Sequence, residues 1–133
     1  MPTGYYDVPH ETMLTIEYIA GFISSQGSFI SYSRSGHEYF ALQIKSDFYN
    51  ADLLEKIAAS LGIHNRVYRY NKQSGSYSLL VIRDRDAIIK TIIPQLDGRL
   101  FGIKNIEYQE WKKLINEQSS TWNYRKIKSL RSG

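Results

Sequence analysis

The sequence lacks cysteine altogether, and it also lacks any long hydrophobic run. The first absence excludes disulfide bonds and thiolate metal ligands, and it suits an intracellular protein. The second excludes a transmembrane helix, which needs roughly 20 predominantly apolar residues, so no membrane partner is expected. Residues 1–13, MPTGYYDVPHETM, have neither the basic segment nor the apolar stretch of a secretory signal, so no such signal is predicted.

The residues that are abundant are basic and aromatic. Seventeen Lys and Arg exceed thirteen Asp and Glu, the formal net charge is +4, and there are eleven tyrosines. This combination suits a polyanionic partner, although a basic solvated surface has the same composition. A length of 133 residues is enough for one domain with a single core.

Apolar periodicity and turn residues predict four helices and four strands. The helical period appears over residues 13–25, 49–62, 84–96 and 103–118, and the third of these helices is predicted to end near Pro94. Strand-like stretches, joined in pairs by Ser-Gly turns, cover residues 28–34, 38–46, 65–72 and 76–83. The order α-β-β-α-β-β-α-α is typical of an α+β fold with helices on one face of an antiparallel sheet. In the last helix, Ile103, Ile106 and Trp111 are predicted to point inward.

The first predicted helix contains two adjacent small residues, Ala20 and Gly21. A glycine inside a helix costs roughly 1 kcal/mol relative to alanine, so a compensating interaction is expected. Close approach of a second helix would compensate, because only small side chains let two helix backbones come near each other. Gly27 follows the helix and is predicted to end it as a C-terminal glycine.

The segment IAGFISSQG (19–27) resembles, position by position, the nine-residue motif of the LAGLIDADG homing endonucleases. The two hairpins, the helix between them and LFGIKNIEYQEWKKLI (100–115) extend the resemblance over residues 13–117. It implies the family's αββαββα fold, with a saddle-shaped antiparallel sheet and helices on one face. The resulting division is an N-terminal arm (1–12), one LAGLIDADG-type domain (13–117) and a basic C-terminal tail (118–133).

A single copy of the motif implies a homodimer, because the motif helices of this family pack in pairs. The predicted interface contains Tyr18, Ala20, Gly21 and Ser24. Such a dimer implies a long, pseudo-palindromic target in double-stranded DNA and site-specific hydrolysis of its phosphodiester bonds. Relatives occur in organelles, microbes and phage, so the expected location is a mitochondrion, a chloroplast, or a microbial or phage cytoplasm.

The resemblance implies that the sheet faces DNA with every second side chain of each strand. Alternation predicts that the helix-facing side chains are Phe29, Phe40, Leu42, Ile44, Val67, Tyr77, Leu79 and Val81. The opposite side chains are predicted to bind DNA: Ser28, Ile30, Tyr32, Arg34, Tyr39, Ala41, Gln43, Lys45, Arg66, Tyr68, Tyr70, Lys72, Ser76 and Ser78. Within this set, glutamine and arginine suit base edges, and lysine suits phosphate.

Cleavage by the family is metal-assisted, with Mg²⁺ expected and other divalent cations possible. The resemblance places the metal-binding acid just before the motif's last glycine, so the predicted metal position is Gln26 and Gly27. The predicted catalytic residues are Gln26, Lys104, Ser46 and Asn50. Lys104 would stabilise charge on the phosphate or hold the water, and the other two would organise water in the pocket.

Gln26 offers an oxygen of similar reach to glutamate but no negative charge, so weaker metal binding and loss of cleavage are predicted. The earlier motif position, Ser24, is neutral as well. Three explanations stay open: an introduced glutamate-to-glutamine substitution, a natural loss of cleavage, or another acid, such as Asp47, in the catalytic role. The prediction is a homing endonuclease subunit that binds DNA without cutting. An intron RNA maturase or a non-catalytic DNA-binding regulator on the same fold is the alternative, and an unrelated α+β scaffold that imitates the motif is a further one.

Overall fold

The computed structural model of the protein describes residues 13–132, with side chains described for residues 13–118. Within this range there are four helices: α1 (Ile16–Gln26), α2 (Ala51–Leu61), α3 (residues 85–96) and α4 (Gly102–Ser132). Four strands alternate with them as two hairpins: β1 (Gly27–Arg34), β2 (His37–Asp47), β3 (Val67–Lys72) and β4 (Gly75–Ile82). The predicted order of elements and the α+β class are confirmed. None of these helices combines the length and apolar content that a membrane span requires.

The strands form one antiparallel sheet in the order β1-β2-β4-β3. Leu42 stands opposite Phe29 on β1 and Ile82 on β4, and Ile44 stands opposite Leu80. Because directly opposed residues share a face, these side chains all lie on one side of the sheet. That side is covered by the helices, and the core joins it to Ile19 and Ile23 of α1 and to buried residues of α2, α3 and α4.

Helix α1 begins at Ile16, three residues later than predicted, because the Thr15 hydroxyl accepts the backbone N–H of Tyr18 at 3.1 Å. It ends at Gln26, and Gly27 has an extended backbone with φ −89° and ψ 159°. Gly27 therefore ends the helix as predicted, but with an extended backbone and not the left-handed one that C-terminal glycines usually adopt. The glycine is needed for space instead, because a Cβ at position 27 would lie 2.7 Å from Ile23 Cγ2 and 2.8 Å from the Ile23 carbonyl oxygen.

The predicted orientation of β4 is wrong by one residue. Leu80 and Ile82 belong to the core, and Ser78 is fully buried on the same side. The Ser78 hydroxyl is satisfied there by donating to the Asp47 carbonyl oxygen at 2.8 Å. Tyr77, Leu79 and Val81, which were predicted to face the helices, lie on the opposite face, and Ser76 is on the helix side of the strand.

Helix α4 packs through Tyr108, Trp111 and Ile115, which are all buried. The Trp111 indole N–H donates to the Ile30 carbonyl oxygen of β1 at 3.0 Å. The prediction for Trp111 is confirmed, whereas Ile103 and Ile106 are 69% and 61% exposed and were wrongly predicted to be buried. Their face of the helix lies beside the buried stripe and not on it. The helix also runs through the predicted tail boundary at residue 118, and the predicted arm (1–12) lies outside the described residues.

A polar cluster ties α4 to the loop after α3. The Lys112 ammonium lies 2.8 and 3.0 Å from the two carboxylate oxygens of Asp97, and the Tyr108 hydroxyl donates to the same carboxylate. Burial raises the pKa of Asp97, but the hydrogen bonds and the Lys112 charge outweigh it and leave the pKa below the ordinary value of 3.8. Burial and the adjacent carboxylate raise the pKa of Tyr108 far above its ordinary value.

Candidate nucleic-acid interface and active-site pocket

The sheet face opposite the helices, here called the open face, is covered by no helix within residues 13–132. The register places its side chains in rows across the strands, and twelve of the fourteen predicted DNA-binding residues belong to it. They are Ser28, Ile30, Tyr32, Arg34, Tyr39, Ala41, Gln43, Lys45, Arg66, Tyr68, Tyr70 and Lys72. The pattern therefore brings most of the predicted interface together, although contact with DNA stays a prediction. Ala41 is only 2% exposed, so it forms part of the floor of this face.

Two predicted members do not belong to the open face. Ser78 is fully buried on the helix side of the sheet, and Ser76 is turned to the same side, where its hydroxyl donates to Asn71 at 2.6 Å. In their place the open face contains Tyr77, Leu79 and Val81. Leu79 and Val81 line a groove of about 390 Å³ together with Arg83, a residue that the sequence pattern did not predict. Tyr77 lies outside this groove and contacts the Lys45 ammonium.

Cations and tyrosine rings alternate on the open face. The Lys45 ammonium lies 4.3 Å from the centre of the Tyr77 ring, and Lys72 lies 5.1 Å from the centre of Tyr70. Tyr70 in turn stacks on Tyr77 with ring centres 5.0 Å apart. A cation above an aromatic face gains roughly 0.5–1 kcal/mol at an exposed site, so the rings help to hold these ammonium groups over the sheet.

Acidic residues are distributed differently. Asp47 and Asp84 border the open face, and each accepts a backbone N–H at the start of a helical segment, from Tyr49 and Ala87 respectively, both at 2.9 Å. Other acidic residues belong to the helices: Glu17, Asp52, Glu55, Asp86, Glu107, Glu110 and Glu117. Within residues 13–118 the same helices also carry six basic side chains, so their charges nearly balance: Lys56, Arg85, Lys90, Lys104, Lys112 and Lys113. The open face, with Arg34, Lys45, Arg66 and Lys72, carries a surplus of positive charge.

The end of α1 opens onto a pocket of about 590 Å³, here called the Gln26 pocket. Three of the four predicted catalytic residues, Gln26, Ser46 and Lys104, line it together with the predicted metal residue Gly27. The complete lining is Ser25, Gln26, Gly27, Ser28, Lys45, Ser46, Asp47, Ser76 and Lys104. Residues distant in sequence meet here because Gly27 starts β1 opposite Ile44 on β2, close to the β2 end that carries Lys45 to Asp47.

Hydrogen bonds fix several of these side chains. Asn50, the fourth predicted catalytic residue, does not line the pocket, but its amide donates to the Ser46 hydroxyl at 2.9 Å. Lys104 donates to Glu107 at 3.0 Å and is mostly buried, so its ammonium is held at the rim of the pocket. Asn50 therefore braces Ser46 from behind.

The donor set of the pocket does not fit a resident divalent cation. Mg²⁺ prefers oxygen ligands that include one or two carboxylates. The charged side chains in the lining are the ammonium groups of Lys45 and Lys104 and the carboxylate of Asp47, which already caps a helical turn. Among residues 13–118, no three His, Asp or Glu side chains stand close enough to hold a metal ion. A carboxylate at position 26 would give the pocket a second acidic oxygen donor for a divalent cation.

Helix α1 exposes Glu17, Tyr18, Gly21, Ser25 and Gln26. Tyr18, Gly21 and Ser25 form one stripe along the helix together with the half-buried Phe22, and the rings of Tyr18 and Phe22 stack 6.3 Å apart. Ala20 was predicted at a dimer interface, but its side chain is fully buried in the subunit's own core. Ser24 is half-buried and donates to the Ala20 carbonyl oxygen at 2.9 Å. A Cβ on Gly21 would meet nothing within 4 Å, so packing within the subunit does not explain this glycine.

Solved structures of homing endonucleases share this fold. I-GzeII in complex with its DNA target matches with a TM-score of 0.73 at 22% identity, covering 97% of this chain and 50% of that chain. I-SmaMI bound to an uncleaved DNA target in the presence of calcium ions matches with a TM-score of 0.69 at 22% identity, covering 89% of this chain and 42% of that one. I-TnaI, a homing endonuclease, matches with a TM-score of 0.71 at 16% identity, covering 81% and 76%.

The chain thus spans about half the length of I-GzeII and I-SmaMI. No curated protein sequence matches it. The sequence model described as LAGLIDADG endonuclease matches residues 19–115, from the motif in α1 through both hairpins to the buried stripe of α4. With that match over most of its length and with the same fold, the chain belongs to the LAGLIDADG endonuclease family.

Proposed function

We propose that this chain is a DNA-binding subunit of the homing endonuclease type, which holds double-stranded DNA on its open face and does not cut it. The observation that carries the proposal is the surplus of positive charge on the open face. Arg34, Lys45, Arg66 and Lys72 stand there, and of the acidic residues that the structure describes, Asp47 and Asp84 border it. Such a face attracts phosphates, and strands with alternating side chains fit a major groove.

The Gln26 pocket supports the second half of the proposal. A scissile phosphate in this pocket meets two ammonium groups, and the neutral amide of Gln26 stands where the family places its acid. Lys45 and Lys104 stabilise phosphate charge, but the one carboxylate in the lining, that of Asp47, already caps a helical turn and leaves no second acid to hold a divalent cation and position its water. Binding of DNA without hydrolysis follows from this set of residues.

The exposed stripe of α1 supports a symmetric pair of subunits. Gly21 costs helix stability and has open space above it, which leaves room for the backbone of a second α1. Tyr18, Phe22 and Ser25 flank it on the same side of the helix. A pair joined through this stripe places two open faces side by side, and a long, pseudo-palindromic target matches that symmetry.

Binding to a randomised pool of 30-base-pair duplexes tests the proposal, with single-stranded DNA and structured RNA of equal length as competitors. Fluorescence anisotropy at low salt should show preference for the duplex and no strand cleavage in Mg²⁺. A preference for structured RNA would instead favour the intron maturase. Absence of duplex binding by a folded protein would overturn the proposed function.

A further inference from the structure

The centre of the open face contains one amide among apolar side chains. Gln43 is half-buried, with Ser28 opposite it on β1 and Val81 opposite it on β4. Two residues before it on the same strand, Ala41 stands opposite Ile30. Within residues 13–118 no group forms a hydrogen bond with the side-chain amide of Gln43. A half-buried side-chain amide without a partner keeps its full hydrogen-bonding capacity, which is two N–H donors and a carbonyl oxygen that accepts.

The surrounding side chains restrict what this amide meets. Ile30 and Val81 are half-buried and flank Gln43 on β1 and β4, and the small Ala41 leaves a shallow floor between them. The nearest cation on the strand, Lys45, lies with its ammonium over the Tyr77 ring. Polar recognition at this point therefore depends on the Gln43 side-chain amide and the Ser28 hydroxyl, because Ile30, Ala41 and Val81 offer only apolar contact.

An A·T base pair presents groups that match both an amide and apolar side chains. In the major groove, adenine presents the N7 acceptor and the N6 donor, which an amide matches with two hydrogen bonds, and thymine presents a C5-methyl group. Guanine presents two acceptors, which suit arginine or lysine. Two strand spacings of roughly 4.8 Å separate β1 from β4, and base pairs lie about 3.4 Å apart, so Gln43 and its flanking residues cover about three base-pair steps.

We propose that Gln43, Ile30 and Val81 determine specificity by reading an A·T-containing step in each half of the target. The Gln43 amide bonds adenine N6 and N7, and Ile30 and Val81 pack on thymine methyl groups above Ala41. This inference rests on the proposed binding of duplex DNA to the open face. Beyond duplex binding, it specifies that A·T base pairs face the centre of each subunit's open face.

Selection from a randomised duplex pool tests the assignment. The wild type should enrich A·T pairs at one position or two adjacent positions of each half-site. Gln43→Met keeps the length of the side chain and removes its hydrogen bonds, so the same positions should lose their preference while binding persists. Gln73→Met, in the exposed turn between β3 and β4, is the matched control and should leave the selected sequence unchanged.

Modified bases in the selected duplex separate the two contacts. Replacing adenine with 7-deazaadenine at the enriched position should weaken wild-type binding by about 5- to 150-fold and Gln43→Met hardly at all. Replacing thymine with uracil there should cost about fourfold for each methyl group removed. Enrichment of G·C pairs, or no base preference that depends on Gln43, overturns this inference and leaves duplex binding intact. Failure to bind any duplex overturns both proposals.

Discussion

The ammonium group of Lys112 lies 2.8 Å from one carboxylate oxygen of Asp97 and 3.0 Å from the other, which joins α4 to the loop that follows α3. The folded-state pKa of Asp97 is lowered, so this carboxylate contributes stability above its unfolded pKa of 3.8 and loses it as pH falls through the lower folded value.

Asp97→Asn should therefore reduce the free energy of unfolding by about 1–2 kcal/mol near neutral pH, a value lowered by the partial exposure of the pair. Urea denaturation from pH 7 downward should show the difference from wild type closing below about pH 4. Lys112→Met should give a similar loss, and the double variant should show that the two losses are not additive. A difference that does not change with pH would contradict an ionised Asp97.

Gln26→Glu should restore a response to divalent cations. An added charge about 4 Å from a cation contributes a few kcal/mol at the effective dielectric of a protein surface, so Ca²⁺ affinity should rise at least tenfold. Isothermal titration with Ca²⁺ measures this, and Mg²⁺-dependent cutting of a selected duplex is the functional readout. Gln26→Met is the matched control. Cutting by the wild type that Asp47→Asn abolishes would assign the catalytic role to Asp47 instead.

Gly21→Leu should separate dimer formation from subunit stability. Leucine favours the helix by roughly 1 kcal/mol over glycine, so the isolated subunit should become slightly more stable. The added side chain fills the space for a second helix and should weaken a dimer by about tenfold or more. Light scattering across a concentration series measures this, with Ala59→Leu on the exposed side of α2 as the control. Equal dimerisation of both variants would exclude the α1 stripe as the interface.

Arg66→Ala and Lys72→Ala should each weaken duplex binding without changing base preference. A cation that neutralises one phosphate contributes about one unit to the slope of log K against log salt, so each variant should reduce the slope by about 1. Anisotropy titrations with duplex DNA at salt concentrations from about 50 to 200 mM measure these slopes. Lys90→Ala on α3, where the lysine side chain is 75% exposed, should leave the slope unchanged. An equal effect of Lys90→Ala would indicate binding without a defined face.

Gly27→Ala should destabilise the subunit, and Gly21→Ala should not. The new Cβ at position 27 would lie 2.7 Å from Ile23 Cγ2 and 2.8 Å from the Ile23 carbonyl oxygen, so the helix end or β1 must shift, at a cost of about 1–3 kcal/mol. At position 21 the Cβ meets nothing within 4 Å, and alanine should add up to about 1 kcal/mol. Thermal unfolding should show a lower melting temperature than wild type for Gly27→Ala and an equal or higher one for Gly21→Ala.

The sequence predicted the open face well where polar and apolar residues alternate. In β1 to β3, residues such as Phe29, Leu42 and Val67 identify the buried side, and the structure agrees. In β4 the run Leu79 to Ile82 is apolar on both sides, so alternation carries no information there. The bulk of Tyr77 suggested burial and the hydroxyl of Ser78 suggested exposure. The structure reverses both, because Ser78 finds a carbonyl oxygen and Tyr77 finds the ammonium of Lys45.

The Gln26 pocket was predictable only in part. The motif resemblance predicted Gln26, Ser46 and Lys104, and the structure brings them to one pocket. Lys45 was predicted at the DNA face and Asp47 only as an alternative acid, and both line the pocket because β2 ends beside the end of α1. That proximity depends on the pairing of Gly27 with Ile44, which is a long-range contact and leaves no local signal in the sequence.

The bond from the Trp111 indole to the Ile30 carbonyl oxygen has a consequence for solubility. Strand β1 is at the margin of the sheet, and unpaired backbone groups at such a margin invite strands from other molecules. Trp111 occupies one of these carbonyl groups and packs its ring against Phe29. A strand from another molecule therefore finds one acceptor fewer on β1, which makes aggregation through this edge less favourable. Helix α4, which completes the core, thus also reduces aggregation through the edge strand β1.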